Sequence, residues 1–380
     1  MEFLAAIGDT GQMTIGYVLP FLFVLTVVVF FHELGHFSVA RWAGVKVETF
    51  SIGFGREIAG WTDAKGTRWK IGWIPLGGYV KFFGDDDPTS KPDLAKLDEM
   101  SSEQKAGSFH HKPLAHRAAV VAAGPVANFI LAIVIFAGLF SIVGRQVTAP
   151  VVDQIQPDSA AAEAGFEAGD VILKIDGTAI ETFTDMQRIV TFSGGQELNF
   201  LVRRDGQEQQ LVATPRSVEI EDQFGNIQRI GRLGIVRNIS PENVQHIKAN
   251  PATAVWLGVE ETWFVIDRTM GYLGGMIVGR EDPGQLGGPL RIAEISGQVA
   301  SIGFAALLNT TAILSISIGL LNLFPVPMLD GGHLLYYGIE AVRGRPMGEQ
   351  AQEYGFRIGL ALVIMLMVFA TWNDLNHFWG

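Results

Sequence analysis

The chain has 380 residues, of which 48% are hydrophobic and only 18% are charged. A soluble domain of this length usually carries more charge, so the composition indicates a membrane protein. The formal net charge of −11 and the lack of an evident basic face argue against a nucleic-acid partner, and the absence of cysteine excludes disulfides and thiolate metal ligands.

Four segments are apolar over a length that crosses a hydrocarbon core of about 30 Å. They cover approximately residues 14–40, 116–143, 303–326 and 356–376. The first lacks the short basic segment and the small-residue cleavage site of a signal peptide, so we expect it to be retained as a helix.

Basic residues cluster at two of the connections between these segments. They are Lys46, Arg56, Lys65, Arg68, Lys70, Lys81 and Arg117 around the first connection, and Arg343, Arg345 and Arg357 around the last. The positive-inside tendency makes both connections cytoplasmic. The long 144–302 region and both termini are then expected outside the cytoplasm.

The first span contains the sequence HELGH at residues 32–36. His32 and His36 are four residues apart, so on a helix they share one face, and this spacing allows two imidazoles to bind one zinc ion. Glu33 beside them is placed to act on a water molecule. The alternative, polar groups hydrogen-bonded to neighbouring helices, is weaker because ionisable groups in hydrocarbon indicate a functional site.

After the first span, residues 68–84 (RWKIGWIPLGGYVKFFG) alternate apolar and polar side chains and break at Pro75 and at the glycine pair 77–78. The pattern predicts a hairpin or looped strand pair. Two interpretations stay open, a strand-bearing loop that dips toward the membrane and a small cytoplasmic hairpin. Residues 84–112 are typical of a mobile connector, and we assign no role to the histidines at 110–111.

The strand, helix and turn signals in residues 149–216 predict a compact soluble unit. The pattern indicates helices over 159–164 and 184–191, a strand at Val171–Ile175, and turns at Asp176-Gly177 and Asp205-Gly206. The run IQPDSAAAEAGFEAGDVILKIDGTAI resembles a PDZ domain of the bacterial type. This resemblance implies that the unit binds an extended peptide by adding it as a strand to a sheet edge.

The next two regions carry weaker signals. Residues 217–248 continue with strand-like pieces around Gly225 and Gly231. Residues 250–302 are apolar but interrupted by glycine and by charged side chains, so they make a poor span. An amphipathic helix at the membrane surface fits this last region better.

The third zinc ligand is predicted near the end of the chain. A catalytic zinc has three protein ligands and one open position, and Asp330 stands at the end of the third span in NLFPVPMLDGG. Pro325 and Pro327 break the helix and let this segment turn toward a partner. Two neutral imidazoles, one aspartate and one hydroxide balance the charge of Zn²⁺. His333 is a competing ligand that we rank below Asp330.

HELGH and NLFPVPMLDGG together resemble the site-2 protease family of intramembrane metalloproteases. Five residues match its second motif: Asn322, Pro325, Pro327, Asp330 and Gly331. GPVANF (124–129), with Asn128 in the second span, matches a further segment of that family. The PDZ-like unit narrows the resemblance to the bacterial branch of regulated intramembrane proteolysis, although some members carry two tandem PDZ domains and this sequence shows one clearly.

The resemblance implies the site residues and their roles. They are the zinc ligands His32, His36 and Asp330, the general base Glu33, and Asn128 and Asn322 as contacts to an unwound substrate backbone. Physically, both asparagines are also suited to helix–helix packing. A strand edge near Gly77 and Tyr79 is a further candidate to hold the unwound substrate in extended form.

The predicted fold is a polytopic α-helical membrane protein with four transmembrane helices, a membrane-associated β-hairpin loop and an inserted soluble PDZ-like α+β domain. Its predicted parts are residues 1–143, the PDZ-like domain 144–248 with its core at 149–216, a membrane-surface connector 249–302, and residues 303–380. We expect the protein in the bacterial inner membrane with the PDZ-like domain on the periplasmic side.

The predicted activity is zinc-dependent peptide hydrolysis within single-span membrane proteins already trimmed by another protease, such as anti-sigma factors. The expected partners are these substrates, a peptide ligand of the PDZ-like domain and the lipid bilayer. A quality-control protease that clears remnant signal peptides uses the same chemistry. A metal transporter has no need of Glu33, and a PDZ scaffold leaves HELGH unexplained.

Overall fold

The computed structural model describes residues 2–85, 100–221, 227–237, 245–279, 284 and 287–379. The chain divides into two compact units, one formed by Met1–Leu139 with Thr253–Gly380 and the other by Phe140–Ala252. Residues 86–99 of the predicted connector and the strand-like piece at Gly225 lie outside the described residues.

Within its described residues, the first unit is helical apart from one pair of strands. Its helices, numbered in chain order through both units, are α1 (Glu2–Trp42), α2 (Ser102–Gly107), α3 (Leu114–Ile142), α6 (Pro251–Ile277), α7 (Pro289–Ile302), α8 (Phe304–Asn322), α9 (Asp330–Arg343) and α10 (Glu349–Trp379). Four stretches are long and apolar enough to cross a membrane, namely Gly16–Trp42, Leu114–Ile142, Phe304–Asn322 and Gln350–Asn376. Each overlaps one predicted span, so the four predicted apolar helices are confirmed.

The connector 249–302 contains two helices that each contact one of these spans. On α7, an added Cβ at Gly297 would lie 2.0 Å from the ring of Tyr17 in α1. On α6, an added Cβ at Gly258 would lie 2.8 Å from the carbonyl oxygen of Ile133 in α3. Glycine therefore permits close helix packing at both contacts.

The two strands of the first unit are β1 (Val47–Thr62) and β2 (Arg68–Phe82), which pair antiparallel. The prediction that 68–84 forms a hairpin by itself is therefore wrong, because its partner is the preceding segment. The turn between the strands closes on the Asp63 side chain, which accepts hydrogen bonds from the amides of Lys65 and Thr67. The sequence did not reveal β1 because three glycines interrupt its alternation.

Both strands bend at bulges, and Phe50 of β1 lies opposite Val80 as well as Trp69 of β2. One segment of β1 therefore lies between two segments of β2. The break that the sequence predicted near Pro75 and Gly77 separates these two segments of β2.

The described residues of the second unit, Phe140–Ala252, form short strands and two helices. Its elements are β3 (Arg145–Val147), β4 (Gln154–Ile155), α4 (Ala160–Glu163), β5 (Val171–Ile175), β6 (Thr178–Ala179), α5 (Phe183–Thr191), β7 (Leu198–Arg204), β8 (Gln207–Ala213), β9 (Arg216–Glu221), β10 (Ile227–Arg232), β11 (Ile235–Val236) and β12 (Gln245–Ile247). One sheet has the strand order β6-β5-β7-β8, and three further pairs are β4 with β11, β9 with β10, and β3 with β12.

Local sequence signals account for most elements of this unit. The predicted strand Val171–Ile175 is confirmed. Asp176 and Asp205 have φ angles of 46° and 50° and each precedes a glycine with positive φ, which is the geometry of a tight hairpin turn. Thr182 caps α5 in a capping box with Asp185.

Asp170, which immediately precedes β5, is fully buried and is paired with Arg204. Nε and Nη2 of Arg204 each donate to the carboxylate at 2.8 Å, and the Glu167 amide donates to it at 2.9 Å. Burial by itself raises the pKa of Asp170, but these hydrogen bonds outweigh burial and lower the pKa. The ion pair therefore stabilises the unit above the pKa of the unfolded carboxyl group, and this contribution is lost as the pH falls through the folded-state pKa.

We predict that Arg204→Met lowers the free energy of unfolding of the inserted unit by about 3 kcal/mol at neutral pH, because the Asp170 charge stays buried without its partner. Hydrogen exchange of peptides from 165–175 in the full chain measures this loss, and the difference from wild type should shrink in acid. Arg216→Met is the control, since the Arg216–Glu163 pair is exposed and contributes little. Equal loss of protection in both variants would contradict the prediction.

Candidate metal centre

Three side chains from two distant parts of the sequence converge in the first unit. His32 and His36 lie one turn apart on α1, and their Nε2 atoms are 3.2 Å from each other. Asp330, the first residue of α9, places Oδ2 3.2 Å from His32 Nε2 and Oδ1 3.6 Å from His36 Nε2. Among the described residues, these three form the one cluster of histidine and acidic side chains that satisfies the spacing of a metal site.

The separations fit a tetrahedral zinc ion. Ligand bonds of about 2.0–2.2 Å at tetrahedral angles put neighbouring donor atoms roughly 3.3–3.5 Å apart, close to the three distances found here. Oδ2 of Asp330 is also buried without a hydrogen-bond partner, which a cation supplies. The donor set of two imidazole nitrogens and one carboxylate is one that zinc accepts.

Asp330 lies outside the candidate spans. Burial by itself raises its pKa, but His36 and His32 outweigh burial and hold the pKa below its ordinary range. A carboxylate must be ionised to ligate a metal.

Groups on α3 orient both imidazole rings. Nδ1 of His36 donates to the carbonyl oxygen of Val120 at 2.9 Å, which leaves the Nε2 lone pair free for a metal. Nδ1 of His32 lies 3.2 Å from Nδ2 of Asn128, whose Oδ1 is buried without a partner. Half a turn of the Asn128 amide lets Oδ1 accept the His32 Nδ1–H instead, and this also frees Nε2 of His32.

Gly124 lies between these two groups on α3 and allows the helix to approach. An added Cβ at Gly124 would lie 2.3 Å from His36 Nε2, and one at Gly35 would lie 2.2 Å from the Ala123 carbonyl oxygen. Val120, Gly124 and Asn128 are spaced by four residues, so they share one helical face. Neither Val120 nor Gly124 was a predicted site residue, although this spacing around GPVANF was a usable signal.

Glu33 lies beside the strand pair. An added Cβ at Gly78 of β2 would lie 3.2 Å from Cγ of Glu33, so β2 passes next to the general-base candidate. The neighbouring candidates on β2 contact Phe54, because an added Cβ at Gly77 would lie 2.5 Å from its ring and Tyr79 stacks on it with centroids 6.1 Å apart.

The other candidates are placed as follows. Asn322 is the last residue of α8 and is partly buried. His333, the competing ligand, lies within the first turn of α9 and is not a member of the cluster found among the described residues. His110, to which we assigned no role, pairs with the buried Asp85 at 2.9 Å.

Comparisons with known proteins agree with this chemistry. The model of peptidase family M50 matches residues 20–366. The protein named "Putative zinc metalloprotease Atu1380" from Agrobacterium fabrum is 51% identical over 98% of both chains. Its counterpart named R01501 from Rhizobium meliloti is 50% identical over 96% of this chain and 98% of that protein, and "Metalloprotease MmpA" from Caulobacter vibrioides is 40% identical over 94% of both.

One solved structure is similar to part of the chain. The PDZ domain of the SdrC-like protein from Listeria monocytogenes is 21% identical and covers 21% of this chain and 82% of that domain. The TM-score of 0.17 is too low to assign a fold to the inserted unit.

We predict that Asn128→Ala weakens zinc binding by about 10- to 100-fold, because His32 loses the group that orients its ring. Competition with a chelator on the purified full chain in micelles measures the affinity. Asn128→Asp should retain tight binding, since a carboxylate also accepts the Nδ1–H. Asn322→Ala is the contrast, with unchanged zinc affinity, and a loss of zinc in that variant would assign it a role at the metal.

Proposed function

Because the chain belongs to peptidase family M50, the site-2 protease family, and is a zinc-dependent metalloprotease of the membrane, we propose that it hydrolyses peptide bonds within the membrane-spanning helices of single-span proteins. The observation that carries the proposal is the convergence of His32, His36 and Asp330 at zinc-ligand spacing, with the two histidines inside a candidate span. A protease for soluble substrates has no need of a site in that place.

The proposed roles of the side chains follow from their positions. His32, His36 and Asp330 hold the zinc ion. Zinc, when bound, acts as a Lewis acid that polarises the scissile carbonyl and lowers the pKa of water. Glu33 takes a proton from the attacking water and passes it to the leaving amide nitrogen.

The substrate helix must unwind before it is cut, because its amides are otherwise hydrogen-bonded within the helix. We propose that the β2 segment beside Glu33 receives the unwound substrate as an extended strand at Gly77 and Tyr79. Asn322 offers a donor and an acceptor to the freed backbone groups. Asn128 was a second candidate for this role, and its contact with His32 favours instead a role in orienting that zinc ligand.

The proposed substrates are single-span proteins already trimmed by another protease, including anti-sigma factors. Clearance of remnant signal peptides is the alternative, since it requires the same chemistry on a similar helix. The arrangement favours both over a metal transporter, because Glu33 adjoins the ligands, and over a scaffold built on the inserted unit.

The proposed location is the bacterial inner membrane, with the strand pair on the cytoplasmic side and the inserted unit in the periplasm. The basic residues around 46–81 support this orientation. We propose that the inserted unit is a PDZ-like domain that binds a peptide, as its sequence signature indicates.

The proposed function predicts that Glu33→Gln retains zinc but cleaves a single-span test substrate with a short ectodomain about 10²- to 10⁴-fold more slowly, because the general base is lost. The measurement is cleavage by the purified full chain in detergent, with zinc content determined for both proteins. If wild type and variant both bind zinc and neither cleaves, the transporter and scaffold functions regain support.

The proposed orientation is testable with single cysteines, since the chain has none of its own. Lys65 in the hairpin turn and Asp205 in the inserted unit are both exposed. An impermeant maleimide should label Asp205→Cys in intact spheroplasts and label Lys65→Cys only after permeabilisation. The reverse pattern would invert the proposed topology.

A further inference from the structure

The last helix, α10, has two buried residues at which it packs against the rest of the first unit. Among its residues with described burial, 350–376, only Gly359 and Asp374 are buried. The Asp374 carboxylate accepts hydrogen bonds from the amides of Gly288, Leu290 and Arg291 at the start of α7. Both carboxylate oxygens of Asp374 are therefore used in the contact with α7, and the contact at Gly359 lies elsewhere, at the segment before α9.

Gly359 packs directly against the backbone of Pro327, in the segment that leads to Asp330. An added Cβ at Gly359 would lie 1.8 Å from the carbonyl oxygen and 2.6 Å from the carbonyl carbon of Pro327. One turn earlier, an added Cβ at Gly355 would lie 1.9 Å from the hydroxyl oxygen of Tyr336 and 3.6 Å from Cγ of Pro327. The obstacle at Gly359 is backbone, whereas the close contact at Gly355 is the end of a side chain that can turn away.

The segment between α8 and α9 has an unusual backbone. Met328 has a φ of 93°, a conformation that residues with a side chain rarely adopt and that persists only where the surroundings enforce it. The first turn of α9 packs tightly on the same segment, since an added Cβ at Gly331 would lie 2.2 Å from the Leu323 carbonyl oxygen. Met328 is two residues from Asp330, so the path of this segment fixes where the carboxylate lies.

We propose that Gly359 of α10 is a positioning residue for the metal centre, which holds the strained Pro327–Met328 segment so that Asp330 meets the two histidines. The inference rests on the proposed role of Asp330 as a zinc ligand. It assigns to α10 a task in assembling the site, although none of the described side chains of that helix belongs to the ligand cluster. The histidines need no such support, since α3 already orients them.

The test is zinc affinity of the full-length protein in micelles, measured by chelator competition, together with the visible absorption bands of the cobalt-substituted protein, which report coordination geometry. Gly359→Ala should weaken zinc binding by about 10-fold or more and alter the cobalt bands. Gly355→Ala is the matched control, another helix glycine one turn away, and should resemble wild type in both measurements. Wild-type affinity and bands in Gly359→Ala would overturn the proposal.

A second pair of variants applies if Gly359→Ala yields no folded protein. Pro327→Gly removes Cβ, the side-chain atom of Pro327 that lies nearest Gly359, and Pro325→Gly makes the same change at an exposed residue of the same segment. Weaker zinc binding confined to Pro327→Gly supports the proposal, and equal effects of the two would overturn it.

Asp330→Asn separates this proposal from the ligand assignment on which it rests. If Asp330→Asn binds zinc as tightly as wild type, the assignment of Asp330 as a ligand fails, and the positioning role fails with it. If Asp330→Asn loses zinc while Gly359→Ala keeps it, the positioning role alone is wrong.

Discussion

The close contact between α1 and α3 is the constraint on which the candidate metal centre depends. Gly35 and Gly124 remove the side chains that would hold the two helices apart, so the α3 backbone reaches the imidazole rings. At this distance Val120 accepts the Nδ1–H of His36, and Asn128 contacts His32. A larger residue at position 124 would separate the helices, and both rings would lose the groups that fix their orientation.

The third candidate ligand, Asp330, is held in a different way. His32 and His36 belong to one long helix, whereas Asp330, nearly three hundred residues later, is the first residue of α9 and directly follows an irregular segment. Proline and glycine give this segment its path, and Met328 adopts a backbone conformation that its side chain disfavours. The candidate centre therefore has two parts. The two histidines are fixed by the packing of α1 on α3, whereas the position of Asp330 depends on the residues that surround the segment between α8 and α9.

Helices, strands and turns that depend on local sequence were predictable. Contacts between elements distant in the sequence mostly were not. Helical periodicity placed His32 and His36 on one face, and the turn residues of the inserted unit identified strand Val171–Ile175. The strand β1 was hidden because its glycines interrupt the alternating pattern. The contact between Asn128 and His32 could not be derived either, since spacing shows which residues share a helical face but not which other helix lies against that face.

The hydrogen bonds from α3 to the two histidines do not by themselves satisfy the charges and lone pairs of the site, which still require a cation. The Nε2 atoms of His32 and His36 lie 3.2 Å apart. With Nδ1 of His36 donating to Val120 and Nδ1 of His32 donating to the rotated Asn128 amide, both Nε2 atoms present lone pairs to each other and to the Asp330 carboxylate. Such a group of acceptors is unfavourable in a largely apolar bundle unless a cation lies between them. A zinc ion held by His32, His36 and Asp330 would leave one net positive charge, and the carboxylate of Glu33, the proposed general base, would balance that charge. The packing of the bundle and the binding of the metal therefore depend on the same few atoms.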